Sequence, residues 1–221
     1  MKKTFAIIPA YNEAKQIYQT AKDVSKYVDE VIVIDDGSRD NTYNEAKKSK
    51  VKVLRLIVNM GKGVAMKTGI EYAISKGAKE LILIDADGQH DASEIPLLLK
   101  NLRKNKIDAV LGIRQMPKNS PALFKLGNWG LNQLFCILFS SKVDDTQNGF
   151  RALRADIYSK IKWKSQKYFV ETEMIINIIK NKLNYVEVPV TTYYHDKHKG
   201  TTVLIGLRYF INMLEVKMGW L

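Results

Sequence analysis

Short runs of apolar residues alternate with longer amphipathic segments through the first half of the 221-residue chain. The apolar runs have the length of strands, and the segments between them have apolar residues at helical spacing. We predict strands at 5–8, 31–34, 51–54, 81–84 and 109–112, separated by helices at 13–27, 40–49, 62–76 and 92–104. Apolar strands that alternate with helices are typical of a parallel sheet covered on both faces. The pattern therefore predicts an α/β fold.

Four polar clusters follow four of these predicted strands. They are Pro9-Ala10-Tyr11-Asn12-Glu13, Asp35-Asp36-Gly37-Ser38, Asn59-Met60-Gly61-Lys62-Gly63 and Asp85-Ala86-Asp87-Gly88-Gln89-His90. Each has a simpler explanation when it is taken alone, since Asp36 suits a helix cap and Lys62 suits an exposed helix start. Together they should meet at one edge of the sheet, because ligands bind at the carboxyl ends of parallel strands.

The pair Asp85 and Asp87 has the spacing of a divalent-cation site. Side chains at i and i+2 of an extended segment lie on the same side, and two adjacent carboxylates repel unless a cation or proton intervenes. Oxygen ligands favour Mg²⁺ or Mn²⁺, and the single cysteine and three histidines form no set with zinc spacing. The alternative is a strand end followed by a turn at Asp87-Gly88.

The charge of the chain indicates an anionic partner. The net charge is +12, and residues 114–141 contain three basic and no acidic side chains. Phosphates of a substrate or a lipid surface would suit this excess. Nucleic acid is not expected, because no helix-turn-helix, zinc module or aromatic sheet motif accompanies the charge. The single Cys136 excludes an internal disulfide, so we expect a cytoplasmic protein.

Two apolar segments suggest contact with a membrane surface. Residues 121–139 and 203–220 combine bulky apolar residues with tryptophan, but neither is long and continuous enough to span a bilayer. They predict a pair of interfacial helices and an amphipathic C-terminal helix. Packing on the core or in a homodimer is the alternative.

Five motifs in this order resemble family 2 glycosyltransferases, and most of all dolichyl-phosphate mannose synthase and related polyprenyl-phosphate glycosyltransferases. They are Pro9-Ala10-Tyr11-Asn12-Glu13, Asp35-Asp36-Gly37-Ser38, Gly61-Lys62-Gly63, Asp85-Ala86-Asp87 and Gly149-Phe150-Arg151. The resemblance covers residues 4–190. It implies a GT-A fold, which is Rossmann-like, mostly parallel and covered by helices on both faces. We expect a domain at 1–200, with a nucleotide-binding half at 1–113 and an acceptor-binding half at 114–200, followed by the amphipathic helix at 201–221.

The resemblance also implies roles for individual residues. Asp85, Asp87 and Gln89 would hold the metal, and Asp87, Arg114 and Arg151 would be catalytic. The predicted nucleotide-sugar contacts are Pro9, Ala10, Tyr11, Glu13, Asp35, Asp36, Lys62, Asp85, Ala86 and Asp87. Cations are also needed to bring two anions together, so the basic half of the chain gives the predicted acceptor-phosphate contacts Arg114, Lys125, Arg151 and Lys199. The segment 197–203 departs from the family pattern, because Val203 replaces a lysine, so Lys197 or His198 is an alternative to Lys199.

The resulting expectation is a metal-dependent, inverting enzyme that transfers a mannose- or glucose-type sugar from a GDP- or UDP-sugar to a polyprenyl phosphate. The enzyme would lie on the cytoplasmic face of a membrane. A lipid phosphate is already ionised at neutral pH and needs no strong general base. Two alternatives remain open. A saccharide acceptor would require a base such as Asp144, Asp145, Glu171 or Glu173, and a non-catalytic module would bind a nucleotide or a membrane surface without turnover.

Overall fold

The computed structural model describes residues 3–115, 122–167, 169–193 and 203–219, without the side chains of 122–126, 128 and 203–207. The described residues form one sheet of seven strands. These are β1 (Thr4–Ala10), β2 (Glu30–Asp35), β3 (Lys52–Arg55), β4 (Glu80–Leu83), β5 (Ala109–Arg114), β6 (Arg151–Arg154) and β7 (Tyr185–Val190). The first five are the strands predicted from the apolar runs, with shifted ends. The last two were not predicted.

The sheet is mostly parallel, with strand order β3-β2-β1-β4-β6-β5-β7. Strands β1 to β4 pair in parallel, as do β5 and β7. Strand β6 runs antiparallel between β4 and β5, with Arg151 opposite both Leu83 and Leu111. The start of β6 therefore lies at the edge of the sheet where β4 and β5 end. This single sheet includes strands from both predicted halves of the chain.

Strands β1, β2 and β4 are mostly apolar because both faces of the sheet are buried around them. In β1, Phe5 and Ile7 pack into one hydrophobic cluster, and Ala6 and Ile8 pack into the other. This alternation is the ordinary period of two in a strand. The predicted parallel sheet with two covered faces is confirmed.

Within the described ranges, seven α-helices cover the two faces. They are α1 (Ile17–Val24), α2 (Thr42–Lys48), α3 (Lys62–Ser75), α4 (Ile95–Leu102), α5 (Ala122–Phe139), α6 (Val170–Lys180) and α7 (Val203–Met218). Helices α1, α2 and α4 pack on the face of Ala6 and Ile8, whereas α3, α5, α6 and α7 pack on the face of Phe5 and Ile7. The four predicted helices correspond to α1, α2, α3 and α4, the last of which is preceded by a 3-10 turn at Ala92–Glu94.

Residues 122–139 form one helix, α5, where a helix pair was expected. Helix α5 buries Leu131 and Phe135 against the core, and α7 buries Met213. Both helices also expose apolar side chains, including Ile137, which is 77% exposed. Within the described ranges, the structure has no helix with the length and apolar character required to cross a membrane.

Candidate active site

The four polar clusters meet at one edge of the sheet, as the sequence predicted. The end of β1 lies beside the end of β2, with Ala10 opposite Asp35. Strand β4 ends on the other side of β1, immediately before Asp85. The start of β6 brings Arg151 to the same edge. This edge is the candidate active site.

Asp36 shapes the loop that leads into α3. The residue is 2% exposed, and its carboxylate accepts hydrogen bonds from the backbone amides of Met60 and Gly61, each at 2.8 Å. Burial raises the pKa of Asp36, although both amide bonds oppose the shift. In this structure Asp36 orders the loop, and a contact with the nucleoside stays a prediction.

Asp35 fixes the turn after β2. Its carboxylate accepts a hydrogen bond from the Ser38 amide at 3.0 Å and forms an ion pair with Arg55 at 3.1 Å. Gly37 lies in this turn at φ +66°, and a Cβ atom there would collide with the backbone of Val58. The turn therefore requires glycine on two grounds.

A cavity of about 300 Å³ lies between the loops that follow β1, β2 and β3. Tyr11 lies at this cavity with 39% of its surface exposed. The other lining residues are Gly37, Ser38, Arg39, Arg55, Ile57, Val58 and Asn59. An exposed aromatic ring beside hydrogen-bonding groups suits a planar ligand such as a nucleobase.

The loop after β1 is tied to the loop after β2. The Asn12 amide donates to the Ser38 hydroxyl at 3.0 Å, and the Glu13 amide donates to the Thr42 hydroxyl at 2.8 Å. Asn12 adopts a left-handed backbone conformation with φ 55°. Pro9 and Ala10 form the end of β1, where Pro9 is half-buried and Ala10 is buried. The predicted nucleotide contacts at 9–13 and 35–36 therefore belong to one connected structure.

Lys62 lies between two carboxylates and is not the exposed residue of the alternative explanation. Its ammonium nitrogen is 2.5 Å from Asp85 Oδ1 and 2.5 Å from Glu171 Oε1, and its side chain is 16% exposed. Burial alone would lower the pKa of Lys62, but the two carboxylates raise it. Burial alone would raise the pKa of Asp85, but Lys62 and then His90 lower it. Both members of the Lys62–Asp85 pair are therefore charged.

Gly149 and His90 complete the surroundings of Asp85. A Cβ atom on Gly149 would lie 2.8 and 2.9 Å from the two carboxylate oxygens of Asp85. His90 Nε2 is 3.8 Å from Asp85 Oδ2, and its ring packs against Phe150. The motif Gly149-Phe150-Arg151 included Gly149 in the prediction, but its close approach to the Asp85 carboxylate was not predicted.

Asp87 presents the other carboxylate of the predicted metal pair. Burial and the neighbouring charge of Asp85 raise its pKa. Its carboxylate accepts a hydrogen bond from the Gln89 amide at 3.1 Å, while the carbonyl of the buried Ala86 accepts one from Thr20. The charge of Asp85 destabilises the ionised Asp87 carboxylate, and a cation bound there would relieve the repulsion.

The residues at this edge fit Mg²⁺ or Mn²⁺, provided that a phosphate ligand supplies further oxygen atoms. In the described part of the chain, no three His, Cys, Asp or Glu side chains group as a complete metal site. Mg²⁺ commonly binds one or two carboxylates and completes its coordination with water and substrate phosphates. Asp87 and Asp85 satisfy that requirement, so such an ion would bind together with a phosphate ligand.

Arg114 forms a bidentate ion pair with Asp145. Its Nε and one terminal nitrogen donate to the two carboxylate oxygens at 2.7 and 2.9 Å. Burial alone would raise the pKa of Asp145, but the Arg114 guanidinium lowers it. In this structure Arg114 holds the loop after α5, and its predicted contact with the acceptor phosphate stays a prediction.

Arg151 is 1% exposed and donates to backbone carbonyls. Its guanidinium donates to the carbonyls of Asn148 at 2.9 Å, Glu171 at 2.8 Å and Thr146 at 3.5 Å. Burial lowers its pKa, with Glu171 opposing the shift. Arg151 therefore joins the loop before β6 to the first turn of α6. The two remaining predicted cations are not placed, because the Lys125 side chain and Lys199 lie outside the described part of the structure.

Comparisons with known proteins agree with this architecture. The sequence model of the family described as glycosyl transferase family 2 matches residues 5–162 of this chain. An uncharacterized protein of Methanocaldococcus jannaschii is 36% identical over 97% of this chain and 92% of its own length. The UDP-N-acetylglucosamine–dolichyl-phosphate N-acetylglucosaminyltransferase of Methanococcus voltae is 33% identical over 99% of this chain and 97% of its own. The undecaprenyl-phosphate mannosyltransferase of Micrococcus luteus is 30% identical over 86% and 83%.

Solved structures share the fold at lower sequence identity. Glucosyl-3-phosphoglycerate synthase from Mycobacterium tuberculosis, in complex with Mn²⁺, uridine diphosphate and phosphoglyceric acid, superposes with a TM-score of 0.80. The match covers 99% of this chain and 79% of that chain at 18% identity. The fold is thus a GT-A fold, as predicted. The family match and the ordered motifs together establish that this chain belongs to family 2 of the glycosyltransferases.

Proposed function

We propose that this glycosyltransferase moves a sugar from a nucleotide sugar to a polyprenyl phosphate. A saccharide acceptor would need one carboxylate as a base. The observation that carries the proposal is that three of the four candidate carboxyl groups are engaged in ion pairs or hydrogen bonds. Asp145 is paired with Arg114, and Glu171 is paired with Lys62. Glu173 accepts hydrogen bonds from the amides of Lys164 and Ser165. Asp144 has only a long ion pair with Lys142, at 3.9 Å, and its side chain is 54% exposed.

A phosphate acceptor avoids the need for such a base. The second pKa of a phosphate monoester is near 6, so its oxygen is already an anion at neutral pH. A lone pair on that oxygen forms the new bond to the anomeric carbon, and the bond from that carbon to the donor diphosphate breaks. The nucleoside diphosphate leaves with the electron pair, and the configuration at the anomeric carbon inverts. Similarity over most of the chain to two enzymes named for dolichyl- and undecaprenyl-phosphate supports this acceptor.

The donor would lie along the edge of the sheet. The cavity beside Tyr11 would take the nucleobase, and the diphosphate would extend towards Asp87 and Lys62. A divalent ion, Mg²⁺ or Mn²⁺, would be held by Asp87, Asp85 and Gln89 and would offset the charge of the departing diphosphate as a Lewis acid. The M. tuberculosis enzyme of the same fold was crystallised with Mn²⁺ and uridine diphosphate. Both GDP- and UDP-sugars remain donors to test.

We also propose a peripheral location on the cytoplasmic face of a membrane. Helices α5 and α7 bury one side against the core while Trp129 and Ile137 on α5 and Ile211 on α7 are 60%, 77% and 47% exposed. Apolar and aromatic side chains on surface helices of a basic protein favour an anionic lipid interface. The alternative is that the exposed side chains of the same helices form a homodimer interface.

The deciding assay is sugar transfer to a short-chain polyprenyl phosphate. UDP-N-acetylglucosamine, UDP-glucose and GDP-mannose would be supplied in turn, with Mn²⁺, Mg²⁺ or EDTA. We expect one donor to give a lipid-linked product that EDTA abolishes. Nucleotide binding without lipid product from any donor would contradict the acceptor assignment. Strong transfer to a free saccharide, lost on substitution of Asp144, would favour the saccharide alternative.

A further inference from the structure

The Lys62 ammonium group is held by two separate elements of the fold. It extends from the first residue of α3 and contacts Asp85, which follows β4, and Glu171, which lies in the first turn of α6. An ammonium group carries three N–H donors in a tetrahedral arrangement. Among the described residues the structure gives it these two carboxylate partners. Two ion pairs at 2.5 Å, to carboxylates on different elements, restrict where the ammonium group and its remaining donor can lie.

Glu171 is itself rigidly placed. The residue is 3% exposed, and its backbone carbonyl accepts a hydrogen bond from Arg151 at 2.8 Å. Through Arg151, the loop before β6 is therefore joined to the first turn of α6, which carries the Glu171 side chain. Burying an ionised carboxylate is costly unless it is paired, so a glutamate buried beside the candidate active site indicates a specific role.

We propose that Glu171 is a positioning residue of the donor site, which holds Lys62 so that its remaining N–H donor is directed at the diphosphate of the nucleotide sugar. This inference rests on the proposed function, because it assumes a nucleoside diphosphate donor. Asp85 alone would leave the long lysine side chain free to rotate about a single contact. With Glu171 as the second anchor, the donor is fixed before the ligand arrives, which reduces the entropy lost on binding.

The direction in which nucleotide affinity changes when Glu171 is removed separates this role from a purely electrostatic one. Glu171 is an acid close to where an anionic diphosphate would bind, so its charge alone repels the ligand. If Glu171 contributed only charge, removing it would strengthen nucleotide binding. If it positions Lys62, removing it weakens binding, because the directed hydrogen bond to a charged group is lost.

The experiment measures the affinity for UDP and for GDP by isothermal titration calorimetry, in EDTA and in Mn²⁺. The variants are Glu171→Gln, which keeps the volume, Glu171→Ala, Lys62→Met and the double variant Lys62→Met/Glu171→Gln. The matched control is Glu80→Gln. Glu80 is equally buried and ion-paired, through Arg103, but it lies at the opposite end of β4.

We expect Glu171→Gln to weaken the binding of the preferred nucleotide by about tenfold, the loss of one charge-assisted hydrogen bond. In the Lys62→Met background the same substitution should change affinity by less than about twofold, because the two residues act through one contact. Glu80→Gln should lower the melting temperature without changing nucleotide affinity.

Unchanged or tighter binding by Glu171→Gln would overturn the positioning role while leaving the proposed function intact. An equal loss of affinity in the Lys62→Met background would also overturn it. If the unmodified protein bound neither UDP nor GDP, the donor assignment of the proposed function would fail instead.

Discussion

Replacing Arg114 with methionine should leave the Asp145 carboxylate buried without its cation. The substitution keeps much of the apolar stem but removes the two side-chain donors, at 2.7 and 2.9 Å. Asp145 would retain the backbone amides of Arg114, at 3.2 Å, and Gln147, at 3.1 Å. It would therefore keep hydrogen bonds but lose its compensating charge.

The expected cost follows from the burial of the pair. Breaking a buried ion pair by removing one partner costs about 3–5 kcal/mol. The Arg114 side chain is 23% exposed, so water would partly solvate the abandoned carboxylate, and we take the lower end, about 3 kcal/mol. For a chain of this length, 1 kcal/mol shifts the melting temperature by about 2–4 °C, which predicts a decrease of about 6–12 °C.

Thermal unfolding followed by circular dichroism at two pH values would check both the size and the origin of this effect. The folded-state pKa of Asp145 is lowered, so the pair stabilises the protein fully above the unfolded pKa of about 4, and this is lost as the pH falls through the folded pKa. The difference between Arg114→Met and the unmodified protein should therefore shrink below about pH 4. A decrease under about 3 °C at pH 7, or one that did not depend on pH, would refute this reasoning.

Three further predictions concern the donor side. Asp87→Asn should reduce sugar transfer by about 100-fold or more without lowering the melting temperature, because a neutral amide would hold the divalent ion weakly, and that ion would offset the negative charge that develops on the diphosphate; normal turnover would contradict the proposed site. Gly149→Ala should weaken Mn²⁺-dependent UDP binding, since its Cβ would lie 2.8 Å from an Asp85 oxygen, and calorimetry that showed unchanged affinity would mean that the carboxylate can move freely. Asp36→Asn should lower the free energy of unfolding, measured with urea, by about 2 kcal/mol. The asparagine would place an NH₂ group against the backbone amide of Met60 or Gly61, from which the carboxylate now accepts a hydrogen bond. A decrease below about 0.5 kcal/mol would argue against this account.

The sequence predicted most readily the strands with a long apolar run. Strands β1, β2, β4 and β5 were found because burial on both faces leaves such a run, whereas β3 was found from the run 51–54, which Lys52 interrupts. Strand β6 reads Arg151-Ala152-Leu153-Arg154, with only two apolar residues between two arginines. It is a strand because β4 and β5 pair with it on both sides, and these contacts are not visible in four residues. Strand β7 includes Pro189, which weakens a strand pattern.

The candidate site was predicted as a set of positions but not as a set of contacts. Strand ends in a parallel sheet converge by topology, so the edge could be inferred from the order of the motifs. The pairing of Lys62 with Glu171 could not be inferred, because the two residues are far apart in sequence and each had an ordinary helix-start explanation. The same applies to Arg151, whose sequence context indicates a substrate contact while its buried guanidinium donates to backbone carbonyls.

The reversed strand β6 also has a consequence for how the protein folds during synthesis. Strands β1 to β4 are complete once residue 83 has been made, but one side of β4 has no partner until residues 151–154 follow. Until then, β4 presents an open edge whose Leu81 and Leu83 are among the most deeply buried residues of the finished protein. An unpaired apolar edge is a template for pairing with another chain. Fragments that end before residue 151 should therefore aggregate, and the strand that brings Arg151 to the active edge also protects the nascent sheet.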